Sequence, residues 1–379
     1  MGVNELRREI VENQITDVEA EEPAEEGARR TPWDPKKIRV STKPWSLRQA
    51  VDDIKDGTID VAPDFQRSSV WTHQKRSRLI ESILLGIPLP ALYFSADVEG
   101  RMQVVDGVQR LTAIKEFAQG GFQLTDLEYL LELNGKDFNG LDASLRRRFH
   151  QTQIFVNVIE PETPVEVKFN IFKRINTGGE PLQPQEIRHA LGGERSRDIL
   201  KRMAGVEAFH RATAGAFETD ARMSARELAL RFIAFRLDPD LKEYERAESV
   251  DDYLMAVTRR LDDPTALPDD QVAALERQFE RAMVAASAVF GEYSFRKWPQ
   301  GSDRRSPLNR ALFESWSVAL ADQELAKLIA RKDKIVQAVR EAFSTDREYV
   351  ASVTLATADL ARVRRRLATA RRILEREAA

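Results

Sequence analysis

Strands and helices alternate along the first half of this chain, and the alternation stops near residue 195. In the first half, the apolar spacing predicts helices separated by short strands at 38–40, 91–94, 103–105 and 154–159. Beyond it, apolar residues recur only at helical spacing, as in 272–290 and 312–329. The pattern therefore predicts an α+β chain, with a mixed α/β domain over 36–195 and an all-helical domain over 196–379.

Residues 1–35 have a different composition from the rest of the chain. This stretch holds few large apolar side chains, so it has little surface to bury on folding. We expect it to form an acidic arm that is disordered or ordered only by a partner. The acidic residues that crowd it are Glu19, Glu21, Glu22, Glu25 and Glu26.

Composition excludes several classes of protein. The net charge is −3, so any surface for nucleic acid must be local rather than global. The chain has no cysteine, which excludes disulfides and thiol nucleophiles and argues against a zinc site. Its apolar runs are too short to span a bilayer, and the N-terminus lacks an apolar signal core. We therefore expect a cytoplasmic protein without a membrane partner.

A first polar cluster follows the strand predicted at 103–105. Asp106 and Gly107 stand where this strand gives way to a helix that continues through Phe117. Free N–H groups at such a turn favour a phosphate, to which Arg110 would add a guanidinium and Asp106 a site for Mg²⁺. A purely structural alternative stays open, because Asp106 at the N-cap and Gln109 three residues later fit a capping box.

A second cluster is a basic stretch with flanking aromatic residues, leading into a helix that begins after Thr72. Such a set binds phosphates or stacks a base, but it is also typical of a solvated helix face beside a buried tryptophan. Its chemistry-bearing residues are Gln66, Arg67, Trp71, Lys75, Arg76 and Arg78.

A third cluster lies at the end of the helix predicted over 164–175, which carries Arg174. The following Asn176-Thr177-Gly178-Gly179 is either a helix C-cap or a loop whose backbone approaches a ligand closely.

The C-terminal helix combines an apolar face with many arginines, among them Arg364, Arg365 and Arg366. These side chains fit two alternatives: contact with a nucleic-acid backbone, or exposure to water and an acidic surface such as the N-terminal arm. Elsewhere, the scattered histidines have no metal-ligand spacing, and the chain has neither a Walker A motif nor G-x-S-x-G.

The first three clusters occur together and in order, and this combination resembles the N-terminal domain of GmrSD-type restriction enzymes. The family's Asp-Gly-Gln-Gln-Arg block is matched by Asp106, Gly107, Gln109 and Arg110. The other two blocks are similar to 65–71 with 79–90, and to 172–178 with 186–188. The resemblance is close over about residues 40–195 and looser in the helical tail, and three ordered blocks are more specific than one.

The resemblance implies a ParB/sulfiredoxin-like fold that binds and often hydrolyses nucleoside triphosphates with Mg²⁺. In relatives this module serves anti-phage restriction systems, where it senses modified DNA and controls a nuclease. Carried over, the catalytic residues are Asp106, Gln109 and Arg110, with Asp106 also on the metal. The nucleotide-binding residues are Gln66, Arg67, Lys75, Gly107, Arg174, Asn176 and Thr177, and the DNA-binding residues are Arg76, Arg78, Arg364 and Arg365.

The chain departs from the family pattern at two points. Val108 replaces the first glutamine of the block and lies on the apolar helix face, so we expect it to pack inward, which questions hydrolysis more than binding. The paired histidines and asparagine of an HNH nuclease are not found, so cleavage would need a separate nuclease or toxin subunit. A non-enzymatic DNA-binding adaptor and a ParB-like nuclease remain alternatives, and the oligomeric state, including a homo-oligomer, stays open.

Overall fold

A computed structural model describes residues 8–11, 14–20, 37–61, 71–175, 182–217 and 222–378. The chain divides into two compact units, Pro32–Leu191 and a second unit that combines Met1–Thr31 with Gly192–Ala379. The first contains a mixed five-stranded sheet with helices, and helices dominate the second. The predicted α+β class is confirmed, and the boundary falls at Leu191 rather than at residue 195.

The N-terminal segment differs from the expected acidic arm. β1 (Arg8–Val11) and β2 (Gln14–Glu19) pair antiparallel and belong to the helical unit. Val18 is only 2% exposed and lies in the apolar core of that unit. The acidic composition gave no sign of this placement, because the carboxylates of Asp17 and Glu19 are neutralised by cations far away in the sequence. Residues 1–7, 12–13 and 21–36 lie outside the described part of the chain.

The α/β unit begins with an edge strand and ends with two helices. In chain order its elements are β3 (Val40–Ser46), α1 (Leu47–Lys55), β4 (Ile59–Asp60), α2 (His73–Leu85), β5 (Leu92–Ala96), β6 (Met102–Asp106), α3 (Val108–Ala118), a 3-10 turn (Leu131–Leu133), α4 (Ala143–Gln151), β7 (Gln153–Ile159), α5 (Val165–Ile175) and α6 (Pro184–Leu191). The strands β5, β6 and β7 and the helix α5 lie close to their predicted positions, whereas β3 begins at the last residue of the strand predicted at 38–40, and β4 and α4 were not predicted.

The strand order of this sheet is β3-β7-β5-β6-β4. β5 pairs parallel with β7 and antiparallel with β6, while β3 pairs antiparallel with β7 and β4 parallel with β6. Pro44 lies in β3, an edge strand, where a residue without an N–H group is tolerated. The β5–β6 register places Tyr93 beside Asp106, so the end of β6 is anchored to its neighbour.

One face of the sheet packs against α1 to α4. Alternate strand residues, such as Phe94 and Val156, join Leu47, Phe117 and Phe149 in one apolar cluster. Each of these five side chains is fully buried. Burial of a side chain of this size contributes about 1.5–3 kcal/mol, so this cluster is what holds the strand ends in place.

Local chemistry explains why α2 begins and ends where the sequence predicts. The Thr72 hydroxyl accepts a hydrogen bond from the Lys75 N–H at 3.3 Å, which caps the first turn. At the other end Gly86 adopts the left-handed region with φ of 80°, a conformation that glycine adopts without steric cost.

The helical unit is organised around α13, which buries almost every side chain and contacts α9, α12 and α17. No helix within the described ranges has the length and hydropathy needed to cross a bilayer. Its helices are α7 (Glu194–Ala204), α8 (Glu207–Ala212), α9 (Ser224–Leu237), α10 (Lys242–Arg246), α11 (Val250–Asp262), α12 (Asp269–Phe290), α13 (Arg310–Leu320), α14 (Leu325–Ala330), α15 (Lys332–Thr345), α16 (Arg347–Ser352) and α17 (Leu360–Glu377), with a 3-10 turn at Gly291–Tyr293.

Candidate functional site at the turn between β6 and α3

The strand β6 gives way to the helix α3 at the predicted position. β6 ends at Asp106, and Gly107 is the N-cap of α3, with φ of 102°. No side chain in the described part of the chain caps this helix. The capping-box alternative is therefore wrong: neither Asp106 nor Gln109 caps the turn, and the N–H groups of the first turn have no side-chain acceptor.

Gly107 is required here by both its backbone conformation and its surroundings. A φ of 102° lies in a region that L-residues rarely adopt. A Cβ atom built on Gly107 would also lie 2.1 Å from Leu92 Cδ2, and 3.3 Å from an Arg110 guanidinium nitrogen. The turn is thus a close approach of the backbone to β5.

Arg110 joins the turn to the segment that precedes β5. Its guanidinium donates to the carbonyl oxygens of Pro90 and Ala91, and to Asp106 Oδ2 at 2.9 Å. The Arg110 side chain is 13% exposed, and Asp106 is 32% exposed. Burial lowers the pKa of Arg110 below its ordinary value, while the Asp106 carboxylate opposes this shift. The guanidinium stays charged, because an arginine pKa begins far above neutral pH.

The two remaining residues of this motif are Val108 and Gln109. Val108 is half-buried and packs against the apolar core, so the expectation that it packs inward is confirmed. Gln109 is also partly exposed and lies beside Asp106 and Arg110 in the same turn. The structure thus brings Asp106, Gly107, Gln109 and Arg110 together through local geometry alone.

The remaining predicted nucleotide-binding residues are less informative. Gln66 and Arg67 lie in 62–70, and Asn176 and Thr177 lie in 176–181, so all four fall outside the described residues. Lys75 is exposed in the first turn of α2, and no hydrogen bond or ion pair among the described residues joins its side chain to the turn.

Arg174 is exposed in the last turn of α5, where it ends the described part of the third cluster. The nucleotide-binding role that the family resemblance implies for Arg174 stays a prediction.

The four arginines predicted to contact DNA each have an acidic partner. Arg76 donates to Glu116 at 2.7 Å, and its guanidinium lies 4.9 Å from the centre of the Phe122 ring. In the same unit, Arg78 pairs with Glu128 at 2.7 Å. These contacts link α2 to residues outside this helix. They also neutralise the positive charges that would otherwise bind DNA phosphates.

On α17 the arginines pair within the helical unit. Arg364 meets Glu245 at 3.0 Å, and Arg365 meets Asp346 at 2.8 Å. Arg366 is not on an exposed face, as the helical pattern led us to expect, but is 2% exposed and bound to Glu314. The residue turns inward because a buried carboxylate on α13 needs a cationic partner.

A nucleotide would bring two groups to this turn, its phosphates and a Mg²⁺ ion. The uncapped N-terminus of α3 fits phosphate oxygens, because its N–H groups and dipole both favour an anion. The described residues hold no group of three or more potential ligands arranged for a metal ion. Asp106 therefore offers one carboxylate, which is enough for a Mg²⁺ ion that arrives with its phosphates but does not make a preformed metal site.

Sequence inspection missed two buried charged groups in this unit. The Glu81 carboxylate accepts hydrogen bonds from the N–H groups of Glu128, Tyr129 and Leu130 at 3.1, 2.7 and 2.9 Å. Lys168 is 6% exposed and donates to the Ala96 carbonyl at 3.3 Å. Burial lowers the pKa of Lys168, although the carboxylates of Glu162, Asp97 and Glu160 oppose it. Ala96 closes β5 at the end opposite Tyr93, so Lys168 is not part of the turn.

Comparison with known families matches part of the α/β unit. Residues 47–191 match the family model described as the GmrSD restriction endonuclease, N-terminal domain. The match runs from the first residue of α1 to the last residue of α6, and it includes the β6–α3 turn. The chain matches no curated protein.

Proposed function

Because residues 47–191 match the family model of the GmrSD restriction endonuclease N-terminal domain, we propose that this unit is a restriction-system module that binds a nucleoside triphosphate at the β6–α3 turn. One observation carries the proposal: the helix α3 begins at a left-handed glycine, and no side chain in the described part of the chain caps its first turn. Such an end is suited to an anion, since unsatisfied donors and the positive end of the helix dipole coincide there.

The residues around this helix end have distinct proposed roles. The N–H groups of the first turn would donate to phosphate oxygens. Asp106 keeps the Arg110 guanidinium in a fixed orientation at the edge of the turn, and its second oxygen is available to a phosphate-bound Mg²⁺. Gln109 is placed to orient a water molecule beside the same phosphates. Hydrolysis depends on this last residue, because Val108 packs inward and supplies no polar group.

The proposed role in the restriction system is regulatory. A nucleotide-dependent state of this domain would control a nuclease or toxin carried by a separate subunit. The DNA-binding adaptor has less support, because its four candidate arginines already contact Glu116, Glu128, Glu245 and Asp346. It remains the alternative to which a failed nucleotide assay would lead.

The test is binding and hydrolysis of ATP, GTP, CTP and UTP with Mg²⁺, each with and without DNA. We expect the wild-type chain to bind at least one nucleotide. Arg110→Lys, which keeps the charge but loses the planar fork, should weaken binding about tenfold or more. Gln109→Ala should leave binding nearly intact and abolish turnover, if turnover occurs.

Arg101→Ala is the matched control for the arginine variant. Arg101 lies in the same unit and also pairs with an aspartate four residues before it, Asp97, but both side chains are exposed. Its removal should not change nucleotide binding. If no nucleotide binds to the folded wild-type chain, or if the two arginine variants bind equally, the proposed site is rejected.

A further inference from the structure

In the helical unit, the segment of residues 17–19 docks as an extended strand beside Leu308. The Glu19 N–H donates to the Leu308 carbonyl at 2.8 Å, and the Leu308 N–H donates to the Asp17 carbonyl at 2.8 Å. Val18 and Leu308 are partners in a parallel bridge. This is how a peptide is recognised when it adds to the edge of a strand, since its main chain supplies the hydrogen bonds.

The three side chains of the segment point alternately to the two sides of the strand. Val18 points into the apolar core and is 2% exposed, while Asp17 and Glu19 point to the other side. There the Glu19 carboxylate accepts from Lys297 Nζ at 2.6 Å and from Asn309 Nδ2 at 3.0 Å. The segment is thus recognised by an apolar contact on one face and by ion pairs on the other.

Asp17 is held by two arginines. Arg296 Nη2 and Arg305 Nη2 lie 2.8 and 2.6 Å from Asp17 Oδ2. A further cation, Arg310, donates to the backbone carbonyl of Glu19 at 3.3 Å. We call the residues that surround the segment the acid-strand socket: Arg296, Lys297, Arg305, Leu308, Asn309 and Arg310.

The helical unit itself holds the donors of the acid-strand socket in place. Arg296 also donates to the carbonyl oxygens of Ser306 at 2.7 Å and Thr213 at 3.2 Å. Asn309 Nδ2 also donates to the Val353 carbonyl at 2.8 Å. Because these donors are oriented by neighbouring backbone rather than by the docked segment, less entropy is lost when an occupant binds.

The charges of the acid-strand socket require an acidic occupant. Among the described residues, three cations of the socket contact the two carboxylates of the segment, and Arg310 contacts the Glu19 carbonyl and the carboxylate of Glu227. Arg296 and Lys297 are 3% and 8% exposed. A buried cation without a counter-charge is strongly unfavourable, so a neutral segment of the same shape would not replace residues 17–19.

We propose that the acid-strand socket is a peptide-binding site for an extended segment of acidic, β-branched, acidic sequence, with residues 17–19 as its resident and displaceable ligand. Exchange is feasible because, among the described residues, the segment is held through one bridge pair, its three side chains and the Glu19 carbonyl, a small interface. A partner protein with a segment of this pattern would compete with residues 17–19. The proposal concerns the helical unit and does not depend on the nucleotide site.

The test uses the full chain and a labelled synthetic peptide of residues 8–20. In the host chain, Asp17→Asn with Glu19→Gln weakens the resident strand and leaves every cation of the socket unchanged. This variant should bind the wild-type peptide at least about tenfold more tightly than the wild-type chain does, and added salt should weaken binding. A peptide with the same two neutral substitutions should bind at least about tenfold more weakly.

Glu207→Gln is the matched host control, because it neutralises an exposed carboxylate of the same unit. It should bind the peptide no better than wild type does. A folded double variant that fails to bind the peptide overturns the proposal, and so does equal binding of the acidic and neutral peptides.

If the variant with Asp17→Asn and Glu19→Gln does not fold, formation of a disulfide between the chain and the peptide tests the same proposal. The chain has no cysteine of its own, so Leu308→Cys introduces one reactive position. A peptide with Val18→Cys should form a mixed disulfide with it, whereas a peptide with Thr16→Cys, two residues out of register, should react far less. No preference between the two peptides would contradict the proposed docking.

Discussion

Arg110 donates to Asp106 at 2.9 Å, and the two residues lie on opposite sides of the left-handed Gly107. The same guanidinium also binds the carbonyl oxygens of Pro90 and Ala91. Arg110 is therefore a link between α3 and the segment that precedes β5. Substitutions in the β6–α3 turn should affect stability as well as binding, and the two effects have to be measured separately.

Arg110→Ala should destabilise the α/β unit by about 2–4 kcal/mol, because two carbonyl groups and a half-buried carboxylate lose their donor. Arg101→Ala removes an exposed pair and should cost less than about 1 kcal/mol. Urea unfolding of both variants measures the difference. Similar free energies of unfolding for the two variants would show that the Arg110 contacts contribute little.

Gly107→Ala should destabilise the protein by about 2–4 kcal/mol, the sum of an unfavourable φ and a clash with Leu92. Gly100→Ala is the control: Gly100 has φ of 82°, but nothing lies within 4 Å of an added Cβ. The control should cost about 1 kcal/mol, from the backbone alone. Thermal unfolding of both variants measures the difference. Equal melting temperatures would contradict the predicted cost of the clash with Leu92.

Glu81 should make the α/β unit sensitive to acid. Burial raises the pKa of its carboxyl, but hydrogen bonds from Leu130, Tyr129 and Glu128, with the charge of Arg78, outweigh burial and hold it below the ordinary value. A lowered pKa in the folded state stabilises the protein above about pH 4.3, the unfolded value. That contribution is lost as the pH falls through the lower, folded-state pKa.

Glu81→Gln should therefore lower the free energy of unfolding by about 2–4 kcal/mol at neutral pH, with a smaller deficit in acid. Chemical unfolding of both proteins across a pH series measures this. Glu132→Gln, which removes an exposed carboxylate from the same region, should show no comparable effect. A deficit that stays constant with pH would exclude the carboxylate as the cause.

Arg366→Met should destabilise the helical unit by about 3–5 kcal/mol. The substitution leaves Glu314, which is 2% exposed, with Arg231 at 2.6 Å as its one remaining cationic partner among the described residues. Arg364→Met, two positions earlier on α17, removes an exposed pair with Glu245 and should cost less than about 1 kcal/mol. Circular dichroism during denaturation gives both values. An equal loss for the two variants would mean that the buried pair contributes no more than the exposed one.

The sequence predicts the local features of this protein well. A helix was predicted to begin after Thr72, and the Thr72 hydroxyl caps that helix. The strand-to-helix turn at Asp106 and Gly107 was also located correctly, and so was the inward packing of Val108. These features depend on hydrogen bonds and apolar spacing within a few residues, which the order of side chains records directly.

Partners that are distant along the chain could not be predicted in this way. Residues 17–19 belong to a strongly acidic segment, but they meet cations about 290 positions later, where strand pairing and ion pairs neutralise them. Arg366 carries the same charge as Arg364 in the same helix, but one is buried beside Glu314 and the other is exposed. Sequence alone therefore determined where the central strands, the helix α2 and the motif turn lie. Only tertiary packing decided which charged side chains are buried, because that depends on which distant partner shares the low-dielectric interior.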